Sequence, residues 1–274
     1  MSKHPILFFA VILCSYIPIS AQEKHPVTEE SIKQNLASVV CKNSARLEAV
    51  KALFRQMGAT EDDLKVDKFD HVENLVLTKK GKTEETIVIG AHYDKVTDGC
   101  GAIDNWTGIV ILANLYGYLR DYQTDKTYKF VAFGREEEGL IGAGAMAKSI
   151  PKENLSRFCS MVNFDSFGFA YPQVLTNVSS PQMTSFAQKL AAEIEMPLHV
   201  ASLTAGADSG SFRAVGIPAI TFHGLSNEWR QYLHTYRDKL ENVKTQSVFA
   251  GYTFGFLFIS KIDKQPCDYF RKIL

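Results

Sequence analysis

Residues 87–94 read Ile87-Val88-Ile89-Gly90-Ala91-His92-Tyr93-Asp94. A β-branched run of this kind predicts a strand, and it stops on a histidine and an aspartate. Strand side chains alternate with a period of two, so His92 and Asp94 share a side. In open α/β sheets, ligands bind beyond the carboxyl ends of the strands. A metal-bound histidine gives its second ring N–H to a carboxylate, which fixes the tautomer. An H-x-D at a strand end can therefore hold a ligand together with its support. Taken alone, the pair reads more readily as a surface ion pair.

Working outward, the apolar pattern switches between two periods. Ile32, Leu36, Val39 and Val40, then Leu47, Val50, Leu53 and Phe54, recur at helical spacing. Val72 to Thr78 and Thr86 to Ile89 flank a turn containing Gly81, which predicts a hairpin. A helix is expected from Trp106 to Arg120, near Leu140, and over Gln182–Ile194 and Glu241–Ile262. Short strands are expected at Tyr128–Phe133, Ser160–Phe164, Gln173–Asn177, His199–Leu203 and Ile217–Phe222. Strands separated by helices predict an α/β fold, a mixed, mostly parallel central sheet with helices on both faces. The aromatic stretch Phe249 to Phe258 reads as a core-facing helix rather than a ligand box.

Lys+Arg and Asp+Glu both number 30, so the formal charge is zero. That balance lacks the basic footprint of a nucleic-acid binder. Hydrophobic residues at 46% and charged residues at 22% describe a globular chain, not a disordered one. Lys3 and His4 precede an uncharged run from Pro5 to Ile19, then Ser20 and Ala21. The run is shorter than the roughly 20 residues of a spanning helix and resembles a secretory signal peptide. We expect residues 1–21 to be a signal cleaved near Ala21, and residues 22–274 to be a single catalytic domain. A secreted or periplasmic location follows, with no membrane span. Leu13 is too bulky before Cys14 for lipoprotein anchoring. Cys41, Cys100, Cys159 and Cys267 then remain, open to two disulfides in any of three connectivities.

The chemistry-bearing residues sit at predicted strand ends and helix starts. Asp104 lies in Gly101-Ala102-Ile103-Asp104-Asn105, where one acid or amide is explained as a helix N-cap. Glu136-Glu137-Glu138 follows the strand ending at Phe133. Acids are favoured at a helix start, but three adjacent carboxylates are also what a dication would hold. Asp165 ends the strand Met161 to Phe164, and His234 precedes Thr235. Histidine nitrogen and carboxylate oxygen suit zinc, with manganese or cobalt possible. Two dications sharing a carboxylate can clamp a water and a carbonyl oxygen, with an unligated glutamate as general base.

The motifs AHYDKV, GAIDNWTG, EEEGLIG, NFDSF and HTYRD, in that order from Ala91 to Asp238, resemble metallopeptidase family 28, the co-catalytic zinc aminopeptidases. The resemblance implies the zinc aminopeptidase (phosphorylase/hydrolase-like) fold and Zn2+, two per chain. His92 and Asp165 would bind one zinc, Glu137 and His234 the other, and Asp104 would bridge them. Glu136 would be the general base, Asp94 would orient His92, and Glu138 would be the variable residue. A cis peptide from Asp104 to Asn105 is also implied. Asp208 resembles an aspartate of the family's Ser-Asp-His-x-x-Phe stretch, but Ser209 replaces the histidine, which leaves Asp208 a supporting role. The expected substrates are peptides with a free N-terminus, and a monomer is the expected state.

Two other functions share parts of this pattern. Glutaminyl-peptide cyclotransferases, with a single zinc, resemble the chain at His92-Tyr93-Asp94, Asp104, the glutamate pair and His234-Thr235. They place a tryptophan before the last histidine, where this chain has Leu233, and they lack the Gly139-Leu140-Ile141-Gly142 continuation. Two-domain zinc carboxypeptidases or deacylases insert a domain of roughly 100 residues, for which Asp165 and His234 stand too close. A non-catalytic, receptor-like relative would have lost ligands, and every expected position is filled. Tyr93, Trp106, Phe222 and Trp229 are candidates for a substrate pocket, each equally explained as packing.

Overall fold

The computed structural model describes residues 26–271. The expected signal segment and Cys14 lie outside the described residues. In chain order the elements are α1 (Glu29–Leu36), α2 (Asn43–Gln56), β1 (Lys65–Phe69), β2 (Val72–Lys79), β3 (Thr86–His92), α3 (Thr107–Leu119), β4 (Thr127–Phe133), α4 (Ile141–Ser149), β5 (Phe158–Phe164), β6 (Gln173–Leu175), α5 (Pro181–Glu193), β7 (His199–Ala201), α6 (Asp208–Ala214), β8 (Ala219–His223) and α7 (Thr245–Asp263). The strands form one sheet in the order β1-β2-β4-β3-β5-β8-β6-β7. β4, β3, β5 and β8 run parallel, as do β6 and β7. β1, β2 and the β6–β8 junction are antiparallel. This is the mixed, mostly parallel sheet that the alternating elements predict.

Every residue of β3 is buried, as a central strand covered on both faces must be. Its side chains divide by parity. Ile87, Ile89 and Ala91 join Phe130, Val162, Phe164, Ile220 and Phe222 in the larger core, under α3 and α7. Val88 joins Val131, Phe133, Met161 and Ala219 in the smaller core, under α4 and α6. The aromatic stretch of α7 turns Tyr252, Phe254 and Phe258 into the larger core, so its spacing does reflect packing.

The expected hairpin between Val72–Thr78 and Thr86–Ile89 is not formed. β4 stands between β2 and β3, antiparallel to the first and parallel to the second. The turn near Gly81 is instead fastened to the start of β4. Lys82 N–H donates to the Thr124 carbonyl, and Thr83 N–H to that of Asp125. The hairpin partner of β2 is β1, Lys65-Val66-Asp67-Lys68-Phe69. Its charges are those of a protected edge strand, which hid it from an apolar-pattern search.

The disulfides resolve to Cys41–Cys100 and Cys159–Cys267. The first ties the segment before α2 to the loop that leads into Asp104. The second ties β5 to the segment after α7. No helix among the described residues is long and apolar enough to cross a membrane.

Phe258 tests the larger core. It is 0% exposed, and its ring stands 5.1 Å from that of Phe222 and 5.8 Å from that of Phe186. Phe258→Ala should cost about 3–5 kcal/mol, read as a fall in the urea midpoint with the m-value unchanged. Tyr236, which is 67% exposed, should tolerate the same truncation with no measurable shift.

Candidate metal centre

Three adjacent parallel strands deliver most of the candidate residues to one end of the sheet. His92 closes β3, Asp165 follows β5, and Glu136 and Glu137 follow β4. Asp104 comes from the turn before α3, and His234 from the segment between β8 and α7. His92 Nε2 lies 3.1 Å from Asp104 Oδ1 and 3.6 Å from Asp165 Oδ1. His234 Nε2 lies 3.2 Å from Asp104 Oδ2 and 3.1 Å from Glu137 Oε2. The result is two donor triads, each with its ligand atoms within 4.8 Å of one another, and Asp104 contributes to both.

These spacings fit a metal. Four ligands at about 2.0–2.1 Å from zinc stand about 3.3 Å apart. Buried polar atoms are normally hydrogen-bonded, yet Glu137 Oε1 has no partner among the described residues. The electrostatics agree. Burial pulls the His92 imidazole down, but Glu136, Asp104, Asp165 and Asp94 together hold it well above the usual histidine range. Burial pushes Glu136 well above the usual carboxylate range, with His92 opposing and Asp165, Asp208 and Asp104 reinforcing. Burial also works to raise Asp104, but His234 and His92 hold it below its ordinary value. Such crowding of acids is balanced when dications sit among them.

Local structure explains how Asp104 is free to take part. The capping task before α3 falls to Asn105, whose Oδ1 accepts from Gly108 N–H at 2.9 Å and from Ser166 N–H at 3.0 Å. Gly108 has to be glycine, because a Cβ there would stand 2.4 Å from Asn105 Oδ1 and from the Phe164 carbonyl. The peptide from Asp104 to Asn105 is cis, as the resemblance implies. Arg135, Leu140, Ser166 and His234 all adopt left-handed backbone, φ 55° to 60°. Non-glycine residues rarely do so, and those that do gather at functional sites.

The remaining candidates fall in different places. Asp94 Oδ1 lies 3.6 Å from His92 Nδ1, too far for a hydrogen bond. Its two oxygens instead accept the backbone N–H groups of Glu136 and Glu137, at 2.9 and 3.1 Å. Glu136 Oε2 lies 3.9 Å from His92 Nε2 and belongs to neither triad. Glu138 points away and pairs with Arg135 at 2.7 Å. Asp208 is buried at the start of α6, with neither oxygen partnered among the described residues, and burial pushes its pKa well up. Of the pocket candidates, only Trp229 lines the cavity beside the triads, a space of about 400 Å³. Trp106 and Phe222 are core, and the Tyr93 hydroxyl donates to the Glu73 carbonyl.

In the sequence Asp238 stands out only as the last residue of the His234-Thr235-Tyr236-Arg237-Asp238 motif. Its Oδ1 accepts from Ile103 N–H at 2.6 Å and its Oδ2 from Asp104 N–H at 3.2 Å. It thus pins the Asp104 turn from behind. Burial and then the nearby Asp104 push its pKa up to about 6.

The sequence matches the model of peptidase family M28 over residues 74–250. It is 28% identical to Aminopeptidase YwaD of Bacillus subtilis (strain 168) over 211 residues, 72% of this chain and 46% of that protein. The chain thus spans less than half the length of that relative. The fold superposes on the Legionella pneumophila LapA aminopeptidase with a TM-score of 0.72 at 21% identity, over 87% of this chain and 73% of that one. It superposes on a glutaminyl cyclase from an Acidobacteriales bacterium with a TM-score of 0.73 at 16% identity, over 89% and 97%. At such identities the likeness concerns the fold alone.

Arg46 lies outside the matched span, yet it holds the centre together. It is 0% exposed and donates to the carbonyls of Tyr93, Val40, Cys100 and Gly101. Its guanidinium stands 5.4 Å from the Trp106 ring. Burial lowers its pKa to about 10, against the pull of Asp238, Asp94, Asp104 and Glu137. A sequence signal existed: Arg46, Val50, Leu53 and Phe54 share one helical stripe, so a cation lies on the buried face. Arg46→Met leaves buried carbonyls without donors and should cost about 3 kcal/mol or more, measured by urea unfolding. Arg55→Met, on the exposed face of the same helix, should leave the midpoint nearly unchanged.

Proposed function

The chain belongs to peptidase family M28, and from that premise we propose that it is an exported metallo-aminopeptidase that removes N-terminal residues from peptides with two zinc ions. The observation that carries this reading is the pair of donor triads sharing Asp104, with Glu136 half-buried beside them and in neither. In this reading His92 and Asp165 hold one ion, Glu137 and His234 the other, and Asp104 bridges. Bound zinc would supply a water acidified toward a pKa of about 7 and a positive centre for the carbonyl oxygen.

The chain's own residues do the rest. Glu136 accepts the proton of the attacking water and returns it to the departing amine. Its place beside the triads, outside both, leaves its carboxylate unligated for that exchange. Asp94 fixes the backbone of both glutamates, so base and ligand keep their separation. Residues 22–274 are proposed as one catalytic domain and the protein as a monomer. The disulfides support export, since such bonds persist in oxidising compartments.

The second reading is a glutaminyl-peptide cyclotransferase, favoured by the superposition on the Acidobacteriales glutaminyl cyclase over 97% of its length. Leu233 stands where that reading expects a tryptophan. A chromogenic aminoacyl panel run beside a glutaminyl-peptide cyclisation assay, with and without chelator, separates the two.

Zinc-loaded protein should contain close to two metal equivalents by elemental analysis. Asp104→Ala should lose both, and His92→Ala mainly one. A stable value near one with full activity points to the transferase. The glutamate run gives a separate test. Glu136→Gln should retain metal and lose about 10²–10⁴-fold in kcat. Glu137→Gln should lose metal, and Glu138→Gln should be nearly silent. An active Glu136→Gln beside an inactive Glu138→Gln would show the assigned register to be wrong.

A further inference from the structure

One wall of the cavity beside the triads is a loop. β7 ends at Ala201 and α6 begins at Asp208. Between them Leu203, Thr204, Ala205 and Gly206 line the cavity in succession. Leu203 is half-buried and the other three are exposed, so all four keep accessible surface. Leu203 packs against the cluster of Ile103, Leu225 and Leu233, and also against that of Leu175, Val178 and Ala207. Gly206 lies over Leu140, whose side chain a Cβ there would meet at 3.5 Å.

The peptide groups of a loop need partners, and here a single side chain supplies them. Residues 203–206 make no backbone-to-backbone hydrogen bond among the described residues. The parallel pairing of β6 with β7 ends at Leu175 and Ala201, where the Thr176 hydroxyl donates to the Ala201 carbonyl at 3.0 Å. Beyond that point the Asn177 amide stands in for a peptide group. Its Oδ1 accepts Leu203 N–H at 3.3 Å, and its Nδ2 donates to the Ala205 carbonyl at 2.8 Å. A carboxamide carries donor and acceptor together, so Asn177 grips the loop on both sides of Thr204. Asn177 is itself fixed from α6, its backbone carbonyl accepting from Arg213 at 3.1 Å. Arg230 also reaches the Thr204 hydroxyl, at 3.5 Å, the limit of a hydrogen bond.

The Asn177 bonds are exposed to water. Once the amide is gone, water can satisfy the freed N–H and carbonyl, so stability should change little. Position is what water does not restore. A small displacement of a positioning element is enough to spoil a bound geometry. The displaced wall would carry Leu203 away from Leu175, Leu225 and Leu233, the apolar surface that a long substrate side chain would cover. A methyl group has little area to lose against that surface.

Resting on the peptidase reading of the same site, we infer that Asn177 is a positioning residue. It fixes the wall formed by residues 203–206, and the preference of the cavity for a long apolar side chain at the substrate's N-terminus depends on it.

The test compares the zinc-loaded wild type with Asn177→Ala on the 4-nitroanilides of leucine and alanine. Leucine should exceed alanine in kcat/KM by at least about tenfold in the wild type. Asn177→Ala should shrink that ratio at least about fivefold, mostly through a higher KM for leucine. Metal content and the urea midpoint should stay as in the wild type. Hydrogen exchange at the Leu203 amide should quicken about tenfold. Asn177→Asp keeps the shape and loses the donor to Ala205, so it should shrink the ratio too, and it serves if Asn177→Ala does not fold. A wild type without the leucine preference overturns the inference. So does a variant whose ratio is unmoved, including one that loses activity equally on both substrates. Either result leaves the peptidase reading standing. If neither nitroanilide is hydrolysed, the peptidase reading falls, and exchange alone judges the positioning role. An unchanged Leu203 amide then overturns it, and a faster one supports it.

Discussion

Asp104, Glu136, Glu137, Asp165 and Asp94 crowd against His92 and His234 at the carboxyl ends of the central strands, and their mutual charge is the constraint that the surrounding structure serves. Two carboxylates about 4 Å apart repel by about 4 kcal/mol at an effective dielectric of 20. The whole net stability of a domain is only about 5–15 kcal/mol. A cluster of this kind persists only where rigid neighbours hold each acid in place and positive charge lies nearby. β4, β3 and β5 supply the rigidity, being buried in the middle of the sheet. Arg46 supplies a fixed cation behind the loops.

Two acids serve as staples. Asp94 accepts two consecutive backbone N–H groups from the loop that bears Glu136 and Glu137. Asp238 accepts two from the turn that bears Asp104. Each carboxylate thereby fixes a neighbouring loop with charge-assisted bonds, and the acids carried on those loops keep the spacing seen in the two donor triads. The Cys41–Cys100 disulfide and the Arg46 bonds to Cys100 and Gly101 secure the same turn from the other side. The Asp104 turn is thus held from three directions, by a carboxylate, a guanidinium and a covalent link.

The same strands that carry the centre also build the cavity beside it. β8 turns Ile220 and Phe222 into the larger core and presents Thr221 and His223 to the cavity. One strand thus packs its even-numbered residues into the larger core and turns its odd-numbered ones to the other face, where Ala219 joins the smaller core, because successive side chains alternate between faces. The apolar walls come from different parts of the chain, with Leu175 at the end of β6 and Leu233 beside His234.

By itself the sequence determined the α/β class, the ordering of the strands and helices other than β1 and α6, and the inventory of histidines and acids at their ends. These are local properties, carried by side-chain period and by short motifs such as His92-Tyr93-Asp94 and Glu136-Glu137. Tertiary structure decided the rest. The strand order was not legible, because β2 and β3 each look like a hairpin partner while the pairing depends on β4 entering between them. The disulfide partners were not legible, because four cysteines admit three pairings until their distances are known. The sequence places Asp94 beside His92, but it does not show that its oxygens also accept from the backbone of Glu136 and Glu137, a contact 42 positions away in the chain for Glu136. Arg46 lies beyond every motif, and only the folded chain brings it against the carbonyls of Tyr93, Cys100 and Gly101. Hydrogen bonds between distant segments are set by where the backbone passes, and no residue pattern along the chain encodes that.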